Sequence, residues 1–317
     1  MKKIVVLGGG TGLSVLLRGL KQFPLDITAI VTVADDGSSS GRLREEFDIF
    51  AVGDLRNVLV SLSEVEPLIE DLLQYRFVTD SSLNNHPMGN LLLTALYNIT
   101  GNLTESLRSL SKIFNIKGTI LPFTEENPVL IAHTTDGKII EGESNITKAG
   151  KEIDYIEYKN EVKPTKEVIR AIDEADLIIF GIGSLYTSII PNLLSKEVVE
   201  SLKNSKAKKM YVCNIMSEHG ETDNYKVSDC IKKINSYVKE DLMDVVVVNS
   251  KKVPDDIKER YLGETAGQID IDYDVLNDMN VEIIEDELLY ISEKKKVRHD
   301  PYRTALAIFN YIVKELK

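Results

Sequence analysis

The stretch Lys2-Lys3-Ile4-Val5-Val6-Leu7-Gly8-Gly9-Gly10-Thr11-Gly12-Leu13-Ser14 decides the fold class. Ile4 to Leu7 is a short unbroken apolar run of the kind found in a buried parallel strand. The glycines after it let the backbone turn without Cβ clashes, and Leu13, Leu16, Leu17 and Leu20 then recur at helical spacing. Strand, glycine turn and helix in this order gather backbone N–H groups and the positive end of a helix dipole at one point, which suits a phosphate or another anion. The dinucleotide fingerprint is not met, because Leu13 stands where G-x-G-x-x-G wants its last glycine. Nor does Gly-Lys-Ser/Thr follow, as a Walker A loop requires. Taken alone, the stretch fits an anion site and a purely geometric turn equally well.

Moving outward, a second strand at Ile27 to Val33 runs into Ala34-Asp35-Asp36-Gly37-Ser38-Ser39-Ser40-Gly41-Arg42. In a parallel sheet with right-handed crossovers this loop leaves the same edge as the first glycine turn. Asp35 and Asp36 offer hard oxygen ligands for Mg²⁺ or an acceptor for a hydroxyl. A later strand, Asp176 to Phe180, exits into Gly181-Ile182-Gly183-Ser184-Leu185-Tyr186-Thr187-Ser188, and the Lys209 to Asn214 strand exits into Asn214 to Thr222. Four strand-end loops rich in Gly, Ser and Thr predict a pocket of N–H groups and hydroxyls suited to a pyrophosphate.

Between these loops, Gly53 to about Phe114 reads as helical, with Leu55, Leu59, Leu62, Leu68, Ile69, Leu72 and Leu73 at core spacing and Pro87 opening a further helix. Gly118 to Tyr158 changes to short β-like runs, an antiparallel insertion or an edge of the sheet. Further strands fall at Val245 to Asn249 and Val281 to Ile284, and a last helix at Pro301 to Leu316. The polar clusters Gly53 to Asn57 and His86 to Asn90 have two readings. Asp54 caps a helix and His86 satisfies a backbone carbonyl, or Arg56, Asn57, His86 and Asn90 face the pocket.

The chain has 317 residues, 43% of them hydrophobic, enough for one large α/β core. A formal net charge of -12 disfavours non-specific nucleic-acid binding, which depends on neutralising phosphates with Lys and Arg. Cys213 and Cys230 lack CxxC spacing and read as buried free thiols in a reducing compartment. The N-terminus is a strand without a leader pattern, and no apolar run approaches a membrane span, so a cytoplasmic location is expected. No G-x-S-x-G elbow, HExxH or Cys/His metal spacing occurs.

The glycine turn, Val31 to Arg44, Gly53-Asp54-Leu55-Arg56-Asn57, His86-Pro87-Met88-Gly89-Asn90-Leu91, Gly183 to Leu194, Gly220-Glu221-Thr222 and His299-Asp300-Pro301 together resemble the gluconeogenesis factor (YvcK) family across essentially the whole chain. That family is similar to 2-phospho-L-lactate transferase (CofD), which moves a phospholactyl group onto a deazaflavin precursor. The resemblance implies an α/β, Rossmann-like fold: a mostly parallel doubly wound sheet with helices on both faces, one domain over 1–317 with an inserted helical/β segment at about 53–160. It also implies a cytoplasmic protein that binds a UDP-sugar such as UDP-N-acetylglucosamine, needs no cofactor, and is linked to gluconeogenic growth and cell shape. No firm reaction attaches to the family, so a regulator is expected, with protein partners and a homodimer by analogy.

Carried over residue by residue, Gly9, Gly10, Thr11 and Gly12 would hold the diphosphate, with Gly183, Ser184 and Leu185 on its other side. Asn57 and Asn90 would face the same ligand. Asp36 resembles the transferase's acidic metal or acceptor position, and would hold Mg²⁺ if the chain were a transferase. Tyr261 and Arg298 resemble the positions that meet the uracil, by stacking and by a hydrogen-bonding fork. Two departures stand out. Ile182 replaces the usual proline, which would pre-set φ in that loop, and Ser217-Glu218-His219 replaces Thr-Gln-Pro. The rival readings are a transferase using a nucleotide-diphosphate donor and a metal, and an NAD(P)-dependent oxidoreductase, against which Leu13 argues.

Overall fold

The structure, a computed structural model, describes every residue except Asp48, Val65, Glu66, 263–265 and Lys317. The opening stretch forms strand β1 (Lys2–Gly8) and helix α1 (Gly10–Leu20), and β2 (Leu25–Val31) follows. Leu13, Leu16, Leu17 and Leu20 are all completely buried, as their spacing requires. Each contributes roughly 1.5–3 kcal/mol by leaving water.

The helical section resolves into α2 (Ser38–Phe47), α3 (Gly53–Leu62), α4 (Pro67–Gln74), α5 (Met88–Thr100) and α6 (Leu103–Ile113). Then come β3 (Thr119–Pro122), β4 (Leu130–Thr134), β5 (Ile139–Glu141), α7 (Glu143–Ala149) and β6 (Ile153–Tyr158). After α8 (Lys166–Asp173), the α/β alternation resumes with β7 (Leu177–Phe180), a tight helical stretch over Leu185–Leu193, α9 (Lys196–Asn204) and β8 (Lys208–Val212). It continues through α10 (Val227–Val238), β9 (Val245–Asn249), α11 (Asp255–Leu262), α12 (Tyr273–Asp278) and β10 (Glu282–Asp286). A small hairpin, β11 (Leu289–Ile291) and β12 (Val297–His299), leads into the closing helix α13 (Pro301–Glu315), whose first N–H groups are capped by Asp300.

Seven strands form one sheet in the order β10-β9-β8-β7-β1-β2-β3, every pair of them parallel. The chain builds outward from β1 to β2 and β3, then crosses back to β7 on the other side of β1 and builds outward again. The order therefore reverses between β1 and β7. A crevice opens beyond the carboxyl ends of the strands at such a reversal, and it is where α/β sheets bind ligands. The two glycine loops, one after β1 and one after β7, lie on either side of it.

Alternating residues divide the core between the two faces of the sheet. Ile4, Val6, Ile27, Ala29 and Leu177 pack with α1, α3 and α13, while Val5, Leu7, Ile30, Ile178 and Phe180 pack with β4, β6, α8 and α10. The section from 118 to 158 does both things its pattern allowed. β4, β5 and β6 make a separate antiparallel sheet, and β3 joins the main sheet as its parallel edge. The expectation for α4 fails in part: Leu73 is buried, but Leu68 and Leu72 are exposed, and the side chain of Ile69 lies outside what is described. Cys213 and Cys230 are free and buried. Among the described residues no helix is long and apolar enough to cross a membrane.

Candidate functional site

The first loop takes its shape from glycine. Gly10, the first residue of α1, has φ +68°, a left-handed conformation that glycine adopts without strain. Gly12 matters for a different reason, because a Cβ there would lie 2.4 Å from the Ile182 carbonyl oxygen. The loops after β1 and β7 thus touch backbone to backbone. No side chain of the preceding residue caps α1; instead the Asp54 carboxylate reaches in from α3 and accepts a hydrogen bond from the Gly10 N–H at 2.6 Å.

The second loop takes its shape from side chains brought in from elsewhere. Asn214, two residues past the end of β8, accepts from the Gly183 N–H at 3.3 Å and donates to the Gly183 carbonyl at 2.8 Å. Glu221 is buried and accepts from the Tyr186 N–H at 2.9 Å and from the Ser184 hydroxyl. These pins hold Ser184 at the start of the helical stretch, facing the first loop.

Between the loops lies a cleft of about 290 Å³, lined by Gly9, Gly10, Thr11, Gly12, Gly183 and Ser184, and at one end by Tyr261, Arg298 and His299. Tyr261 is fixed by its hydroxyl, which accepts from the Val297 N–H at 2.9 Å, and Arg298 donates to the Val297 carbonyl at 2.8 Å. Eight residues expected from the sequence therefore meet in one cleft: Gly9, Gly10, Thr11, Gly12, Gly183, Ser184, Tyr261 and Arg298.

Five others are placed differently. Leu185 is buried in the core beneath the second loop. Asn57 accepts from the guanidinium of its neighbour Arg56 within α3 at 2.7 Å, and Asn90 donates to the Ser39 hydroxyl at 3.1 Å, tying α5 to α2; neither is among the described residues lining the cleft. His86 likewise pairs with the Ser39 hydroxyl, at 2.9 Å, and not with a backbone carbonyl. Asp36 accepts from the Ser144 N–H at 2.8 Å at the start of α7 and is not among the described residues lining the cleft. Among the described residues no group of three or more His, Cys, Asp and Glu side chains could hold a metal ion.

Asp54 is the residue that local reading misplaced. It caps α1, not the helix it belongs to, and burial together with the Asp35 charge pushes its pKa up to about 7, against the pull of the Gly10 N–H and Arg56. Glu143 is raised to about 7 by burial and then by Asp35, Asp54 and Asp36. Glu221 is raised to about 8, by burial and then by Glu218. His299 moves the other way, to about 4, because burial disfavours its charged form.

Residues 4–289 match the family described as 2-phospho-L-lactate transferase CofD. The chain belongs to that family. Among its relatives, the gluconeogenesis factor of Bacillus subtilis is 47% identical over 304 residues, covering 96% of each chain. That of Halalkalibacterium halodurans is 45% identical over 308 residues, 97% of this chain and 95% of the relative. The crystal structure of protein BH3568 from Bacillus halodurans superposes with a TM-score of 0.93 at 45% identity, covering 97% of this chain and 99% of that one. The CofD-family fold is therefore shared along nearly the whole length, including both glycine loops.

Proposed function

We propose that the cleft binds the diphosphate of a UDP-sugar, UDP-N-acetylglucosamine in the first instance, between the two glycine loops. In this reading the chain is a cytoplasmic regulator that senses cell-wall precursor supply and links it to gluconeogenic growth and cell shape, needing no cofactor. The observation that carries it is the meeting of two N–H-rich loops at the strand-order reversal with an aromatic ring and a guanidinium at one end of the same cleft. The helix dipole of α1 and the N–H groups of its first turn favour the phosphates. Tyr261 offers a ring face to the base and Arg298 a fork of donors to its carbonyl oxygens. The names of the relatives support the metabolic side of this reading.

A metal-dependent phospho-group transferase is the alternative that the family description suggests. It would need Asp36 to hold Mg²⁺, yet that carboxylate accepts from the Ser144 N–H of α7 and is not among the described residues lining the cleft. The regulator reading takes precedence on that ground. Calorimetric titration with UDP-N-acetylglucosamine, GDP and NAD, each with and without Mg²⁺, tests it. UDP-sugar binding without product is expected; no binding at millimolar UDP-sugar would remove the proposal. Arg298→Ala should weaken the UDP-sugar by about 1.5–3 kcal/mol, the worth of a charged hydrogen bond.

A further inference from the structure

The hairpin that delivers Arg298 to the cleft is out of keeping with the charge of the chain. Against a formal net charge of -12, the run from Leu289 to His299 carries Lys294, Lys295, Lys296 and Arg298 with a single carboxylate, Glu293. All of these side chains are exposed. The turn is fixed by its own hydrogen bonds: the Lys295 N–H donates to the Ser292 carbonyl at 2.8 Å, the Ser292 N–H to the Lys296 carbonyl at 3.0 Å, and the Lys296 N–H to the Ser292 hydroxyl at 3.1 Å. Lys295 takes φ +55°, a left-handed conformation that favours glycine or asparagine over lysine. Cations thus crowd a turn whose local geometry does not ask for them.

These cations sit beside the cleft and are mostly unanswered. Lys295 lies 4.0 Å from Asp256, but among the described residues Arg260, Lys294, Lys296 and Arg298 make no ion pair. Arg260 donates to the Lys294 carbonyl at 3.1 Å, and the Tyr261 hydroxyl accepts from the Val297 N–H, so α11 and the hairpin are tied together at the cleft's edge. Glu218 is the only carboxylate among the described residues lining the cleft, so cations outnumber it at this end. Val297 lines the cleft, with Lys296 next to it and Lys294 within about 10 Å of chain. That reach matches the Debye length of about 10 Å at 0.1 M salt, so both charges are felt at the entrance.

We propose that the hairpin tip steers the anionic ligand into the cleft: Lys294 and Lys296 raise the association rate of a nucleotide diphosphate without touching it once bound. This rests on the UDP-sugar reading above and adds the route by which the ligand arrives. The diphosphate of a UDP-sugar is negatively charged and approaches a chain of like sign. A local basic rim offsets that repulsion during encounter, so its effect is screened by salt and leaves dissociation unchanged. Arg298 differs in kind, because it lines the cleft itself.

Stopped-flow mixing of the full chain with a fluorophore-bearing UDP-sugar, checked by displacement with UDP-N-acetylglucosamine, gives both rate constants. The wild-type association rate should fall as salt rises. Lys294→Gln with Lys296→Gln should slow association about threefold at low salt and flatten that dependence, and Lys294→Glu with Lys296→Glu should slow it about tenfold, both with dissociation unchanged. Lys112→Gln with Lys166→Gln removes the same charge from α6 and α8, beside the β3 edge opposite β10, and should leave association near the wild-type rate. Faster dissociation in the hairpin variants would mean that the lysines grip the bound ligand, and equal slowing by the distant pair would mean that net charge alone acts. Either result, or an unchanged association rate in the hairpin variants, would overturn the steering role while the cleft reading stands. Failure of the wild type to bind the UDP-sugar would overturn both.

Discussion

The two glycine loops face one ligand space but are built on different physics. The loop after β1 is shaped by missing side chains: Gly10 supplies a left-handed turn, and Gly12 lets the Ile182 carbonyl come closer than any Cβ would allow. The loop after β7 is shaped by added ones, Asn214 and Glu221, which reach it from beyond the next strand. A backbone-built loop fails when atoms are added, and a pinned loop fails when atoms are removed. The difference also bears on Ile182. Proline would restrain φ there, but in this chain the hydrogen bonds to Asn214 and Glu221 fix the loop just after it, and the Gly181 N–H donating to the Leu7 carbonyl fixes it just before.

The largest effect should come from Gly12→Ala. Its methyl would meet backbone, which cannot swing aside, so the loops must part; a loss of about 1–3 kcal/mol of stability is expected, together with UDP-sugar affinity. Chemical denaturation and calorimetry measure both, and unchanged values would show that the loops do not depend on close contact. Next comes Glu221→Ala, which leaves the Tyr186 N–H and the Ser184 hydroxyl without their acceptor at a cost of about 1–3 kcal/mol. Glu221→Gln, which keeps an acceptor, should restore most of it. Asn214→Ala removes two neutral hydrogen bonds and should cost about 1 kcal/mol, with the loss falling on the second loop only.

The last test concerns protons. Asp54 binds its proton more tightly in the folded chain, up to about 7, than in the unfolded one, so between the ordinary carboxylate range and neutral pH the native state holds more protons. Stability contributed by this group is thus full at low pH and falls as pH rises toward about 7. Thermal unfolding followed from acid to neutral pH should show a shallower decline in Asp54→Asn than in the wild type. Parallel declines would mean that the carboxyl is not enclosed as described.

Much of this was legible in the residues. The apolar run Ile4 to Leu7, the leucines of α1, the Val245–Asn249 strand and α13 follow local periodicity, and periodicity survives folding. Asp54 was not legible, because its partner Gly10 lies 44 positions away and nothing local says that a carboxylate will cap someone else's helix. The grip of Glu221 on Ser184 and Tyr186 is similarly long-range. Asn57 and Asn90 sit in polar clusters that the sequence marks well. Whether such clusters face a ligand or brace helices depends on packing between α2, α3 and α5, which no spacing along the chain specifies.

The most direct measurement is an amide NMR titration of the ¹⁵N-labelled chain with UDP-N-acetylglucosamine. The N–H signals of Thr11 and Gly12 in the first loop and of Gly183 and Ser184 in the second should shift together, saturating at the same ligand concentration. Shifts confined to one loop, or lying outside both, would contradict a diphosphate held between them.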